Sequence, residues 1–174
     1  MKSNKRIIKK ILKLLILSII VVFAFVLQTS LCPLIPFLKA SPNLLLFMTF
    51  ISGFIYGEST GLFIGIMCGI ILDIFYTGQF GYFSLIYIII GYVNGIINHY
   101  VYEDNISFLM ILSISNSLIL NFYIYISNFL LKGRGSFLHS FLNIMLPSII
   151  MTLLISILLY KLAFMLKSRE DKLY

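Results

Sequence analysis

Apolar residues dominate the chain in long runs, at about 11–27, 44–57, 62–72, 82–97, 106–131 and 141–164, with short polar breaks between them. Spanning ~30 Å of hydrocarbon takes about 20 apolar residues in a helix. The first, fifth and sixth runs meet that length; those at 44–57 and 62–72 do not. Between the latter two stands Gly57-Glu58-Ser59-Thr60-Gly61. One long helix over 44–75 would bury Glu58 at a cost of ~2.5 to 3.5 kcal/mol. A break there instead makes two short helices meeting in a tight turn. The pattern therefore predicts six transmembrane helices, at about 8–28, 43–57, 60–75, 82–98, 106–131 and 141–165, in one membrane domain spanning residues 1–174.

Charge orients this bundle. The chain has 13 Lys and Arg against 6 Asp and Glu, a net +7. Basic residues resist translocation and mark cytoplasmic ends. Lys2, Lys5, Arg6, Lys9, Lys10 and Lys13 crowd the start, and Lys161, Lys167, Arg169 and Lys172 the end. Both termini are thus expected in the cytoplasm, with an even number of crossings. Lys39, Lys132 and Arg134 then fall outside. The first apolar run lacks a small-x-small cleavage site after Val26, so it is read as a retained helix. A hydrophobic fraction of 60%, a charged fraction of 11% and a mean hydropathy of +1.05 fit a chain living in a bilayer. The basic residues form no nucleic-acid footprint.

Within the runs, glycines recur at fourfold spacing: Gly53, Gly57, Gly61, Gly65 and Gly69, with Asp73 one turn further. Membrane helices associate through close backbone approach and interhelical hydrogen bonds, which small residues permit. The register predicts packing seams on the second and third helices. The fourth helix carries Tyr87, Gly91, Gly95 and Asn98 on one side with Asn94 adjacent. The fifth has Ser113, Ser117, Asn121, Tyr125 and Asn128, and the sixth Ser148, Thr152 and Ser156.

Little of this suggests reaction chemistry. Asp73 is an intramembrane acid, but the turn-like IFYTGQFG after it predicts a capping role, or an acceptor for Tyr76 or Thr77. His99 and His139 fall near opposite faces, and no P-loop, HExxH or Ser/His/Asp arrangement is present. Cys32 and Cys68 form no ligand pattern. An enzyme is not expected, nor a metal or cofactor.

Pro42-Asn43-Leu44-Leu45-Leu46, the GESTG break, GIILDIFYTGQFGYFSLIY and IIIGYVNGIIN together resemble the rod shape-determining protein MreD family. The matching positions are Gly69 and Asp73, Gly78 and Gly81, then Gly91, Tyr92 and Gly95. The charged residue many relatives place before the break glycine is Tyr56 here. The motifs cover about 42–98; beyond them the likeness is one of hydropathy. The resemblance implies a multi-pass protein of the bacterial inner membrane that binds MreC. With the actin-like MreB it helps organise lateral peptidoglycan synthesis by a SEDS-type glycosyltransferase and a penicillin-binding transpeptidase. The family also looks like the substrate-binding subunits of energy-coupling-factor vitamin transporters, which supplies the rival expectation, an uptake subunit with a polar pocket. Asp73, Gln79, Asn121 and Asn128 would have to line that pocket. Packing or partner-binding candidates are Gly53, Gly57, Gly61, Gly65, Gly69, Asp73, Gly81, Gly91, Tyr92 and Gly95.

Overall fold

A computed structural model describes residues 2–31, 42–77, 80–100, 106–132 and 140–171. Cys32, Lys39, Gly78, Gln79, Glu103, Asp104, Arg134, His139 and Lys172 fall outside them. The described residues form six α-helices and no strand: α1 (Lys2–Leu31), α2 (Leu44–Tyr56), α3 (Glu58–Leu72), α4 (Tyr82–Ile97), α5 (Ile106–Lys132) and α6 (Leu146–Asp171). A π-helical turn, Asp73–Thr77, prolongs α3, and another, Phe141–Met145, leads into α6. Pro147 in the first turn of α6 has no N–H to give, which suits a loosened turn before it.

Four helices carry apolar stretches of 19 to 22 residues, long enough to cross a bilayer: Ile11–Ser30, Glu58–Tyr76, Ile106–Ser127 and Phe141–Leu159. The short ones are α2, with 13 residues, and α4, with 16. At 1.5 Å per residue they reach only about 20 and 24 Å. The sequence pattern marks α3 as short; its π turn makes up the length, and α4 is the shorter of the pair.

Helix α2 is the hub. Every residue from Leu45 to Ile55 except Met48 is buried, and it touches each of the other five helices. A helix apolar all round belongs inside protein. Its outer neighbours keep one face turned away. Ile19, Val22 and Phe23 of α1, Ile111, Ile119 and Phe122 of α5, and Ile150, Leu154 and Leu158 of α6 are exposed, a surface suited to lipid.

The chain breaks between α2 and α3 at Gly57, whose φ of 86° and ψ of 178° suit only a glycine. The two helices fold back on one another there. Gly61 then lies against Gly53: a Cβ added to Gly61 would stand 2.7 Å from the Gly53 Cα. Helices α3 and α4 run antiparallel, since contacts descend one helix as they climb the other. Glu58 faces Gly95, Gly61 faces Gly91, Gly65 faces Tyr87 and Gly69 faces Ser84.

Three backbones thus converge where Gly53, Gly61 and Gly91 meet. A Cβ on Gly53 would come within 2.5 Å of the Gly91 carbonyl oxygen, and one on Gly61 would collide with that same oxygen. No side-chain motion relieves a clash with backbone, so the helices would have to part. We expect Gly61→Ala to destabilise the bundle by about 1 to 3 kcal/mol, the usual cost of overpacking, and Gly65→Leu by more. The midpoint of unfolding in detergent, compared with an exposed Ser59→Ala control, measures this.

Candidate functional site

Several buried polar residues are spent at helix ends and crossings. At the start of α2, Asn43 is the N-cap and its Oδ1 accepts from the Leu46 N–H at 3.0 Å. The same oxygen accepts from the hydroxyl of Tyr87 in α4 at 3.0 Å. Asn43 donates its own N–H to Thr152 Oγ1 of α6 at 3.3 Å, and Gln28 Oε1 of α1 takes the Leu45 N–H at 3.3 Å. The first N–H groups of a helix have no partner within it, and hydrocarbon supplies none. Three other helices supply side chains here because α2 begins inside the bundle.

The start of α4 is capped from across the turn. Its N-cap is Gly81, which has no side chain and a φ of 99°. Asp73, at the end of α3, stands in for it. Its carboxylate accepts from the N–H of Gly81 at 2.9 Å, of Phe83 at 2.6 Å and of Ser84 at 3.1 Å, and from Ser84 Oγ at 2.6 Å. These are the N–H groups a capping side chain serves, and the positive end of the α4 dipole faces the charge. Asp73 is 1% exposed. Capping the backbone that follows is one of the two roles the sequence predicts for Asp73, and these bonds go to the start of the next helix.

Helices α4 and α5 are tied by an amide pair. Asn94 Nδ2 donates to Asn116 Oδ1 at 2.9 Å, and Asn116 Nδ2 returns a bond to Asn94 Oδ1 at 3.0 Å. Each Nδ2 also donates to the carbonyl four residues back, Ile90 and Leu112. Further along, Tyr123 of α5 donates to the Tyr82 carbonyl at 2.9 Å, its ring against that of Tyr82. Ser113 and Ser117, on the Asn116 face of α5, are buried with no hydrogen-bond partner. At the opposite end of the α3/α4 pair, the His99 ring lies 3.2 Å from Glu58 Oε1, both side chains well exposed.

The structure brings Gly53, Gly61 and Gly91 to one point and carries the seam on through Gly65, Gly69 and Gly95. Gly57 and Gly81 differ from these. A Cβ on Gly57 would meet only Asn98 at 3.9 Å and one on Gly81 nothing, so both serve backbone conformation. Tyr92 turns outward, 41% exposed. Asn121 donates back to the Ser117 carbonyl of its own helix. Sequence reasoning missed Asn116, Gln28 and the Glu58–His99 pair. Asn116 was detectable, lying three residues after Ser113 on the same helical face.

A cleft of about 350 Å³ opens where α1, α2 and α6 meet, its walls almost wholly apolar. Among the described residues no group of three or more His, Cys, Asp or Glu could hold a metal.

The family model described as rod shape-determining protein MreD matches residues 8–169. No curated protein and no solved structure matches the chain.

Two substitutions probe these junctions. Asp73→Ala should lower stability by about 2 kcal/mol or more, since it strips a buried helix end of its acceptor. Asp73→Asn, which keeps one acceptor oxygen, should lose less. For the amide pair, a double-mutant cycle over Asn94→Leu and Asn116→Leu should return a coupling of about 0.6 to 1.7 kcal/mol. Unfolding midpoints in detergent report both.

Proposed function

This chain belongs to the rod shape-determining protein MreD family, and on that premise we propose that it is a non-enzymatic scaffold of the bacterial cell-elongation machinery. It is a membrane protein, and its family takes part in determining rod shape. In our reading it spans the inner membrane six times, with both termini in the cytoplasm. It holds MreC there and, through MreC and MreB, helps position the glycosyltransferase and transpeptidase that lay down lateral peptidoglycan.

The family match over 8–169 carries this reading. The way the chain uses its polar groups supports it. Asn43, Asp73, Asn94 and Asn116 direct their hydrogen bonds onto helices of the same bundle. A vitamin-binding subunit needs such groups converging on a pocket. The cleft at α1, α2 and α6 offers an apolar wall instead, and the outer faces of α5 and α6 present leucine, isoleucine and phenylalanine to the membrane. Those outer faces suit another protein's membrane helix.

Affinity purification of the tagged full chain from membranes of a rod-shaped bacterium should recover MreC as a single-span partner. Recovery of a vitamin with an ATPase module instead would overturn the scaffold and favour uptake. In a chain carrying Cys32→Ser, a cysteine added after Tyr174 should resist a membrane-impermeant thiol reagent in intact cells and react once they are opened. Labelling in intact cells would refute the even crossing number.

A further inference from the structure

Helices α1 and α2 are pinned to each other at two ends and part in between. At one end Gln28 Oε1 accepts the Leu45 N–H. At the other the Lys13 ammonium lies 3.4 Å from the centroid of the Tyr56 ring. The cleft of about 350 Å³ lies between these pins, and Leu159 of α6 also lines it. Leu17, Ile20 and Ala24 of α1 face Phe47 and Ile51 of α2 across it. Ser52 also reaches the wall, but its hydroxyl donates to the Thr49 carbonyl.

Apolar hollows stay dry, and an empty one forfeits the dispersion contacts of its lining. The volume matches roughly a dozen groups of ~30 Å³ each, and a methylene is of that order; one acyl chain would fill it. The two ends of the cleft differ in charge. Leu27 and Leu44 close the Gln28 end, whereas the Tyr56 end adjoins Lys13 and, further up the same helix, the basic run Lys2, Lys5, Arg6, Lys9 and Lys10. Lysines beside a membrane surface attract anionic lipid.

We propose that this cleft is a binding site for an anionic glycerophospholipid, one acyl chain lying between α1 and α2 and the phosphate held at Lys13. The lipid completes the contact between α1 and the hub helix that protein atoms leave unfinished.

The chain contains no tryptophan, so a single introduced one reports its surroundings alone. Ile20→Trp places the probe in the cleft, and Ile150→Trp places a control on the outward face of α6. The full-length variants are reconstituted in phosphatidylcholine vesicles carrying brominated phosphatidylglycerol or brominated phosphatidylcholine at equal mole fraction. At the cleft, the brominated phosphatidylglycerol should quench roughly fivefold more effectively, the preference one lysine near the surface is worth. The outward probe should show a ratio near one, and Lys13→Gln should bring the cleft ratio down to it. Equal ratios at the two positions, or a cleft ratio indifferent to Lys13→Gln, would overturn the proposal. So would a cleft probe that neither lipid quenches, including one shielded only when a partner protein is reconstituted alongside, which would give the cleft to that partner. Native mass spectrometry of the unmodified protein needs no probe. Retained phosphatidylglycerol should outnumber retained phosphatidylethanolamine, and Ala24→Phe, which fills the cleft, should abolish the excess; no excess in the unmodified protein would overturn the proposal equally.

Discussion

Everything in this bundle hangs on the close approach of α3 and α4 along a line where every facing pair includes a glycine. Lipid tails and leucine side chains are equally apolar, so burying leucine gains little when the alternative is hydrocarbon. Contact has to come from fit. At Gly61 and Gly91 the two backbones lie nearer than any Cβ would allow, and Gly53 brings α2 to the same point. The hairpin at Gly57 makes this three-way meeting cheap, because Gly53 and Gly61 are brought together by a turn in sequence. Once α2, α3 and α4 are joined, α2 presents the remaining flanks on which α1, α5 and α6 pack.

A core built so tightly has short helices, and short helices end inside the protein. Their first N–H groups then lie in a low-dielectric interior, where each unsatisfied one is costly. The buried polar residues answer that constraint. Asn43, Gln28 and Thr152 serve the start of α2, while Asp73 serves the start of α4, where the glycine N-cap has nothing to offer. A carboxylate 1% exposed is ordinarily a sign of chemistry in a membrane. Here its two oxygens already accept four hydrogen bonds at a helix N-terminus, which explains the acid by architecture.

The features legible in the sequence were those with a local signature. Fourfold glycine spacing announces close packing, and Glu58 amid glycines announces a break, because a carboxylate is expensive in hydrocarbon. The six-helix division followed from these. What remained hidden required knowing which ends meet. Asp73 caps residues eight to eleven positions away, and Glu58 meets His99 across 41, distances at which sequence neighbourhood says nothing. Spacing alone also cannot separate two reasons for a glycine: Gly65 has no room for a Cβ, whereas Gly81 has room but an unusual φ. Asn116 was overlooked because the Ser113–Ser117–Asn121 stripe steps by four, and the amide sits on the same face at the three-residue step.

The unequal attachment of the helices bears on how a scaffold of this kind works. The α3/α4 seam is backbone against backbone and tolerates almost no displacement. Helix α1 buries Leu17, Val21 and Phe25 in the core and is held also by Gln28 at one end, by Lys13 on Tyr56 at the other, and by Phe25 against the Phe75 and Tyr76 rings. Its middle stands off from α2 across an apolar gap. Hydrogen bonds and ring contacts at separated points permit small shifts that a glycine seam forbids. A partner, or a lipid, acting on this chain would therefore move α1 against a fixed core more readily than it would deform the core itself. The basic run of the sequence opens this same helix.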